Sequence, residues 1–356
     1  MKRILVTGGC GFVGSHIALH LASVLEPVEI VAMDNLYRKG SELNVPRLEQ
    51  AGIAFHRGDV RDPAGYPAGR FDIIVECSAE PSVLAGLDGS PDYLFTTNLV
   101  GLYQCLEVCR RQGSQLIFLS TSRVYPIAPL EAHAFAEQET RFAWIHDEDQ
   151  PHLGPRGVRE GLDLSGARSL YGFTKLAGEQ LIEEYRAAFG VTAAVNRCGV
   201  IAGPWQFGKV DQGVIALWAI AHEFGRPLSY IGYAGKGKQV RDVLHVADLS
   251  RLVEEQVRSL QAWDGWVGNV AGGLDHSVSL LELTAMCQVA AGRTVPIGSE
   301  PKSRPFDLRI FIADCARLFA RTDWRPRHDV ARTVDDTARW VRDHRAMIER
   351  LWRQSR

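Results

Sequence analysis

The sequence predicts an α/β fold in which helices cover both faces of a doubly wound parallel sheet, with a smaller lobe toward the C-terminus. Two observations carry this prediction. Short apolar or β-branched runs alternate with helical patterns over the first two hundred residues, as in a parallel sheet with helical crossovers. The runs are residues 4–6, 29–33, 73–75, 116–119 and 192–195. Residues 73–75 and 116–119 are apolar without interruption, which is typical of strands buried on both faces.

The first crossover is predicted to be a helix. Val13, Ile17, Leu21 and Val24 stand three or four positions apart between the first two runs. Apolar residues at this spacing share one face of a helix, which can then pack on the sheet. The chain therefore begins with a strand, a glycine-rich turn, a helix and a second strand.

Length, charge and cysteine usage limit the classes of function. The chain has 356 residues, of which 46% are apolar, which is enough for a large core and favours two lobes or one large α/β unit. The formal net charge is -2, so no overall positive field would attract nucleic acid or an anionic membrane. The seven cysteines are scattered without paired CxxC spacing, which indicates reduced thiols. No segment is apolar enough for a signal sequence or a membrane span, so we expect a cytoplasmic protein.

The predicted domain division follows the point at which the alternation stops. Residues 1–200 carry the strand and helix pattern and should form the dinucleotide-binding domain. Residues 126–169 are rich in Pro, Gly, His and acidic residues, which predicts a long irregular insertion that serves as a lid or is disordered. Residues 201–356 should form the substrate-binding lobe, with a segment around 240–272 returning to the first domain.

A glycine-rich turn directly follows the first predicted strand. Gly8, Gly11 and Gly14 stand between that strand and the first helix. Glycines there permit a positive φ and let the backbone approach a pyrophosphate at the helix N-terminus. The second strand ends at Asp34, twenty residues after Gly14. A carboxylate at this place accepts hydrogen bonds from the adenosine ribose and repels a 2′-phosphate, so NAD is favoured over NADP.

Neighbouring residues leave alternatives open around this turn. Arg38 and Lys39 follow Asp34 closely and could instead favour a 2′-phosphate. The glycines could simply form a tight turn from strand to helix. After the third strand, Asp59 and Val60 could contact the adenine or belong to an ordinary polar loop.

Three side chains form a candidate catalytic group. Tyr171 and Lys175 are four residues apart, so on a helix they share one face. A free tyrosine titrates near pH 10, but a fixed ammonium stabilises the phenolate and makes it a usable base. Thr121 follows the run 116–119 at the sheet edge where ligands of open α/β folds bind. Each motif alone is weak evidence for a catalytic site. Tyr171 and Lys175 could be a pair on the surface of a helix, and Thr121 could belong to an ordinary turn at the end of a strand.

These residues resemble the extended short-chain dehydrogenase/reductases, the NAD-dependent epimerase/dehydratase family, and more closely its CDP-paratose 2-epimerase (CDP-tyvelose epimerase) branch. The resemblance covers nearly the whole chain and implies a Rossmann fold with Thr121, Tyr171 and Lys175 as the catalytic group. The matching stretches are residues 8–15, 34–40, 120–125, 169–175, 203–213, 237–248, 277–283 and 304–314.

The resemblance also implies two sets of binding residues and no metal site. The cofactor set is Gly8, Gly11, Phe12, Val13, Gly14, Asp34, Asn35, Arg38, Lys39, Asp59, Val60, Ala79, Asn98, Tyr171 and Lys175. The substrate set is Thr121, Gln206, Gln212, Arg241 and Arg309. Arginine forks suit a pyrophosphate, although without the resemblance both arginines would be taken for surface ion-pair residues.

The sequence departs from the family pattern near the expected sugar pocket. Residues 75–80 read Val-Glu-Cys-Ser-Ala-Glu, where many relatives place a His followed by small residues. Pro126 follows Tyr125, where Gly is usual. These changes leave the identity of the sugar and of the nucleotide, CDP, GDP or UDP, open.

The expected activity is NAD-dependent epimerisation of a nucleotide-diphosphate hexose at carbon 2, through a transient 2-ketosugar. Epimerisation at carbon 4 is the nearest alternative, because the same Tyr and Lys serve it. A 4,6-dehydratase would carry an Asp-Glu pair directly after Thr121, where Ser122 and Arg123 stand. A non-catalytic dinucleotide sensor would have no need of the proton-transfer group. The resemblance further implies a homodimer and a role in lipopolysaccharide O-antigen synthesis.

Overall fold

The computed structural model describes residues 1–147, 150–207 and 213–353. Its strands are β1 (Lys2–Thr7), β2 (Val28–Asp34), β3 (Ala54–Arg57), β4 (Ile73–Glu76), β5 (Gln115–Thr121), β6 (Phe135–Glu137), β7 (Phe142–Trp144), β8 (Leu153–Gly154), β9 (Gly157–Val158), β10 (Ala193–Cys198), β11 (Val200–Ala202), β12 (Leu228–Ile231), β13 (Val240–His245), β14 (Trp266–Val270), β15 (Ser277–Ser279), β16 (Ile297–Glu300) and β17 (Ile310–Phe311). Its α-helices are α1 (Phe12–Val24), α2 (Val45–Gln50), α3 (Asp92–Phe95), α4 (Gly101–Gln112), α5 (Ile127–Ala132), α6 (Leu170–Phe189), α7 (Val214–Phe224), α8 (Val246–Arg258), α9 (Leu280–Ala291), α10 (Ala316–Arg321), α11 (Val330–Asp343) and α12 (Arg345–Arg353).

The chain divides into two compact units. The first consists of Met1–Val124, Arg168–Cys198 and Val246–Gly268, and the second of Tyr125–Ala167, Gly199–His245 and Asn269–Arg356. This division differs from the expected one in the segment 126–169, most of which belongs to the second unit rather than to the first. Residues 246–268 belong to the first unit and lie within the segment, around 240–272, that was expected to return to it.

The first unit is built on a seven-stranded sheet in the order β14-β10-β5-β4-β1-β2-β3. The pairs from β3 to β10 are parallel, which confirms the predicted fold class. The strand order runs outward from β1 to β3 in one direction and from β4 to β10 in the other. Because parallel crossovers are right-handed, the two directions place their helices on opposite faces of the sheet.

Apolar side chains from α4 and α6 cover one face of this sheet. Leu106, Phe118 and Ile182 are each at most 1% exposed and belong to one core cluster. Burying a side chain of this size contributes about 1.5–3 kcal/mol before entropy is counted. Within the described ranges, none of the helices has the length and apolarity that crossing a bilayer requires.

Helix α6 has well-defined ends. Ser169 precedes it, and the Ser169 hydroxyl accepts a hydrogen bond from the backbone N–H of Gly172 at 3.1 Å, which is the usual N-cap arrangement. The helix ends at Phe189 and is followed by Gly190, whose φ of 67° is left-handed and suits glycine. The cap fixes where the helix starts and therefore which residues occupy its first turns.

The second unit has a smaller sheet of its own. Strands β11, β13 and β15 form it, and β17 also pairs with β13. Helices α7, α9 and α11 pack against one another and share a core with the strands, in which Trp218, Val243 and Leu283 are buried.

The segment predicted to be irregular is structured. Residues 126–169 contain helix α5 and two hairpins, β6 with β7 and β8 with β9. The backbone N–H of Phe142 donates to the Lys238 carbonyl at 3.0 Å, and Val158 forms a bridge with Ala313. These pairings with distant residues of the second unit explain why the Pro- and Gly-rich sequence gave no local sign of strands.

Arg141 links the first hairpin to helix α9. Its guanidinium donates two hydrogen bonds to the Glu282 carboxylate, at 2.9 and 2.6 Å, and two more to the hydroxyl and carbonyl of Ser277. Glu282 also belongs to the capping box of α9. Burial raises the pKa of Glu282, but hydrogen bonds led by the one from Arg141 outweigh it and leave the pKa lowered.

We predict that Arg141→Met lowers the free energy of unfolding by about 2 kcal/mol, between the values typical of exposed and buried ion pairs. A carboxylate with a lowered pKa stabilises the fold above its unfolded pKa, and this stabilisation is lost as the pH falls through its folded value. The difference between the variant and the wild type should therefore shrink in acid. Urea unfolding at several pH values measures it.

Lys236→Met is the matched control, because Lys236 pairs with Glu137 of the same hairpin while its own side chain is 52% exposed. It should change the stability little. Equal losses in the two variants, or a loss in Arg141→Met that does not depend on pH, would contradict this role of Arg141.

Candidate active site

The glycine-rich turn of the first unit joins β1 to α1. Gly8 has a φ of 59°, and a Cβ atom there would lie 2.9 Å from the carbonyl carbon of Cys77. A Cβ on Gly14 would overlap the Gly8 carbonyl oxygen. Gly11 is the residue immediately before α1. The three glycines therefore allow strand, turn and helix to pack closely, so the backbone at the start of α1 can approach a pyrophosphate.

Asp34 ends β2 beside this turn. Its carboxylate accepts hydrogen bonds from the backbone N–H groups of Cys10 at 3.1 Å and Leu36 at 2.8 Å. Burial raises the pKa of Asp34, and these backbone hydrogen bonds oppose the rise. Asp34, predicted to bind the ribose, is thus hydrogen-bonded to the glycine-rich turn, which is predicted to bind the pyrophosphate.

Asp59, another predicted cofactor residue of this edge, is held by two neighbouring side chains. Asn35 donates to its carboxylate at 2.9 Å, and Arg61 donates to both of its oxygens. The hydrogen bond from Arg61 is the main reason that the pKa of Asp59 is lowered. Val60 is buried, whereas Lys39 is exposed.

Four further predicted residues are half-buried in the same unit, and a fifth, Asn98, is buried. Phe12 and Val13 lie in the first turn of α1, Arg38 lies after β2, and Ala79 follows β4, all of them half-buried. Asn98 is buried in a π-helical turn, residues Thr96–Val100, that joins α3 to α4.

Asn98 connects three segments. Its side-chain amide donates to the Thr174 hydroxyl at 3.0 Å and to the Glu80 carbonyl at 3.1 Å, and its oxygen accepts from the Glu80 N–H at 2.8 Å. Thr174 precedes Lys175 on α6. The amide therefore fixes the chain after β4 and the first turns of α6 relative to each other.

Thr121 and Tyr171 lie together. Thr121 is the last residue of β5, and its hydroxyl forms a hydrogen bond with the Tyr171 side chain. Burial raises the pKa of Tyr171 to about 12, while the hydrogen bond from Thr121 and the charge of Arg123 lower it. Gly172 makes this approach possible, because a Cβ atom there would overlap the Arg123 carbonyl oxygen.

Lys175 completes the group on the next turn of α6. Its side chain is 2% exposed, and its ammonium donates to the Leu119 carbonyl of β5 at 3.0 Å. Burial lowers the pKa of Lys175, and Glu76 opposes that effect. A cation fixed one helical turn from a phenol can stabilise the phenolate, so this group can remove and return a proton.

The predicted substrate residues of the second unit have partners of their own. Arg241 donates to Asp307 at 2.8 Å. The Arg309 guanidinium lies 3.7 Å from the Glu131 carboxylate and 4.0 Å from the centroid of the Phe135 ring. Each arginine is thus paired with a carboxylate, with which a diphosphate would compete.

Of the two glutamines predicted to bind substrate, Gln206 lies within the described residues. Gln206 donates from its amide to the Ile201 carbonyl at 3.0 Å. The Gln206 Oε1 atom is buried without a hydrogen-bond partner in the part of the chain that the structure describes. Gln212 lies outside the described residues.

A buried ion pair next to the catalytic group was missed by the sequence analysis. The Ser120 hydroxyl donates to Glu179 at 2.5 Å, and Arg197 of β10 donates to both carboxylate oxygens of Glu179. Glu179 stands four residues after Lys175 on α6, so helical spacing could have placed it on the same face. No comparable spacing in the sequence connects Arg197 with the catalytic group.

Comparisons with known proteins identify the family. A model of the NAD dependent epimerase/dehydratase family matches residues 4–261. CDP-paratose 2-epimerase of Salmonella typhi is 29% identical over 355 residues, which cover 95% of this chain and 99% of that protein. UDP-glucose 4-epimerase of Neisseria meningitidis serogroup A is 27% identical, with 96% and 97% covered.

A solved structure with the same fold contains the dinucleotide. UDP-glucose 4-epimerase of Thermus thermophilus, in complex with NAD, has a TM-score of 0.74 and 27% sequence identity, and the match covers 96% of this chain and 99% of that one. Because the family model spans well over half of the 356 residues, the chain belongs to the NAD-dependent epimerase/dehydratase family.

Proposed function

We propose that this protein inverts carbon 2 of a nucleotide-diphosphate hexose through a transient 2-ketosugar, as a CDP-paratose or CDP-tyvelose 2-epimerase would. The chain is an NAD-dependent nucleotide-sugar enzyme of the epimerase type. The observation that supports reversible proton transfer in this site is the contact between Thr121 and Tyr171, with the Lys175 ammonium one helical turn away. Similarity to CDP-paratose 2-epimerase over nearly the whole chain supports carbon 2 and a CDP substrate.

The residues around the glycine turn fit NAD. The close packing at Gly8 and Gly14 leaves backbone where a pyrophosphate can approach, and Asp34 stands beside it. We propose Asn35, Arg38, Lys39, Asp59, Val60, Ala79 and Asn98 as further contacts, together with Gly11, Phe12, Val13, Tyr171 and Lys175. NAD, when bound, supplies the acceptor and donor of hydride.

The protein's own side chains move the proton. Tyr171, as phenolate, takes the proton of the carbon 2 hydroxyl while the carbon 2 hydrogen leaves as hydride, so that the alcohol becomes a ketone. Thr121 hydrogen-bonds the same oxygen, and Lys175 stabilises the phenolate. When hydride returns to the opposite face of the ketone, Tyr171 gives the proton back. No net oxidation results.

In the second unit we propose Gln206, Gln212, Arg241 and Arg309 as ligands of the nucleoside diphosphate. Planar, permanently charged guanidinium groups suit phosphate oxygens. The carboxylates of Asp307 and Glu131, which already pair with these arginines, would have to share them with the diphosphate.

Epimerisation at carbon 4 is the second candidate. The similarity to UDP-glucose 4-epimerases favours it, because Thr121, Tyr171 and Lys175 would serve that reaction equally well. A 4,6-dehydratase is disfavoured, since Ser122 and Arg123 follow Thr121 in place of an acidic pair.

We also propose a homodimer in the cytoplasm. Val100, Tyr103 and Phe173, at the start of α4 and α6, are each more than 40% exposed, and α4 packs on α6. Exposed apolar side chains on neighbouring helices suit a surface that another subunit covers. All seven cysteines are free, which suits a reducing compartment. By similarity to CDP-paratose 2-epimerase, the pathway would be O-antigen carbohydrate synthesis.

Turnover of candidate nucleotide sugars tests the function. The purified protein with bound NAD is incubated with CDP-, GDP- and UDP-hexoses, and inversion at each ring carbon is followed by NMR. We expect inversion at carbon 2 of a CDP-hexose without added cofactor. Inversion at carbon 4 alone would contradict the 2-epimerase proposal.

We predict that Tyr171→Phe lowers kcat by at least about a hundredfold, because the proton acceptor is lost, while bound NAD is retained. Tyr185→Phe is the matched control on the same helix, since the Tyr185 hydroxyl donates to Glu107 instead. That variant should keep its activity. Normal turnover in Tyr171→Phe would exclude Tyr171 as the base.

A further inference from the structure

Glu76 is an acidic residue in the interior of the first unit. It ends β4 and is only 1% exposed. Its neighbours in the sheet are Thr7 of β1 and Phe118 of β5. A buried carboxylate is strongly unfavourable unless a charge or hydrogen bonds compensate it, so the groups that face it decide what it can do.

The Lys175 ammonium lies on the same side of the sheet. It is 4.4 Å from the centroid of the Phe118 ring and donates to the carbonyl of Leu119. Phe118 is directly opposite Glu76 in the register of β4 and β5. Residues opposite each other on neighbouring strands direct their side chains to the same face. Carboxylate and ammonium therefore come together at the ends of these two strands.

Besides Tyr171, the titratable groups described near Glu76 and Lys175 include the thiols of Cys77, Cys105 and Cys198 and the phenol of Tyr66. Burial raises the pKa of all four, so they are uncharged at neutral pH. The Tyr66 hydroxyl lies 3.1 Å from the Cys105 sulfur. Lys175 supplies the positive charge that acts on Glu76.

The carboxylate is incompletely hydrogen-bonded. The Ser78 backbone N–H donates to it, and the hydroxyls of Ser78 and Thr7 also favour its charged form. Oε2 of Glu76 is nevertheless buried and has no hydrogen-bond partner within the described residues. Hydrogen bonds therefore compensate the charge only in part, and the Lys175 charge is the largest of the effects that favour the carboxylate. Burial raises the pKa of Glu76 to about 7, and Lys175 opposes the rise.

We propose that Glu76 is a positioning residue, a buried carboxylate that keeps the Lys175 ammonium charged and held against the end of β5. It acts through Lys175 and touches neither substrate nor cofactor in this role. The proposal rests on the proposed function, because it assumes that Lys175 stabilises a Tyr171 phenolate.

The expected effect has a definite sign. Burial favours the neutral amine of Lys175, whereas the Glu76 charge favours the ammonium. Removing the charge should make Lys175 lose its proton at lower pH. The alkaline limb of the pH–rate profile, where activity falls as Lys175 deprotonates, should then move to lower pH as well.

NMR titration of Lys175 measures this directly and needs no substrate. The chain has seven lysines, so isotope-labelled lysine Cε gives few signals, and Lys175→Met identifies the one required. With NAD bound, Glu76→Gln and Glu76→Met should each move the Lys175 midpoint to lower pH by about one pH unit. In the wild type alone, the Lys175 signal should also show a step near pH 7, where Glu76 ionises.

Tyr66→Phe is the matched control, because it removes a neighbouring hydroxyl without changing any charge. It should leave the Lys175 midpoint unchanged. An unchanged midpoint in a folded Glu76→Gln or Glu76→Met protein would overturn the proposal. If neither variant folds, the Glu76 carboxyl is titrated by NMR in the wild type and in Lys175→Met. The Lys175 charge lowers the pKa of Glu76, so equal Glu76 midpoints in the two proteins would overturn the proposal.

The two proposals fail in different ways. Normal turnover in Tyr171→Phe would remove the catalytic group and with it the proposed function, whatever the Lys175 titration shows. Loss of turnover in Tyr171→Phe together with an unmoved Lys175 midpoint in the Glu76 variants would remove only the role of Glu76.

Discussion

The position of the Lys175 ammonium is the constraint on which the proposed chemistry of the first unit depends. A cation that is 2% exposed must be balanced by its surroundings, and the end of β5 supplies a carbonyl oxygen while the end of β4 supplies a carboxyl group. In the proposed mechanism the same ammonium stabilises the Tyr171 phenolate. The packing of the first unit and the proposed catalysis therefore both depend on the charge of this side chain.

The rest of the unit brings the Tyr171 phenol and the glycine-rich turn to the same sheet edge. Capping by Ser169 sets the start of α6, and the missing side chain of Gly172 lets that helix approach the end of β5. On the other side, Gly8 packs directly on the chain that follows β4. Because parallel strands end at one edge, the turn after β1 and the residues that end β5 lie on the same side of the sheet.

Local spacing explains what could be predicted from the sequence. The glycines before α1 and the four-residue interval between Tyr171 and Lys175 are short-range patterns, and both lie where they were expected. No short-range pattern of this kind identifies the three carboxylates of Glu76, Glu131 and Asp307. Their partners are distant in sequence, 66 residues apart for Asp307 and Arg241, and only the folded chain brings them together.

The hairpins of residues 126–169 were missed for a related reason. Strands of two or three residues among Pro and Gly have no periodicity to detect, and they form because residues of the second unit pair with them.

Retention of deuterium tests hydride transfer beside Tyr171 most directly: a substrate deuterated at the carbon that inverts is converted in ordinary water. If hydride leaves and returns, the inverted product keeps its deuterium. Replacement by hydrogen from solvent would show proton abstraction from carbon instead and would contradict the mechanism.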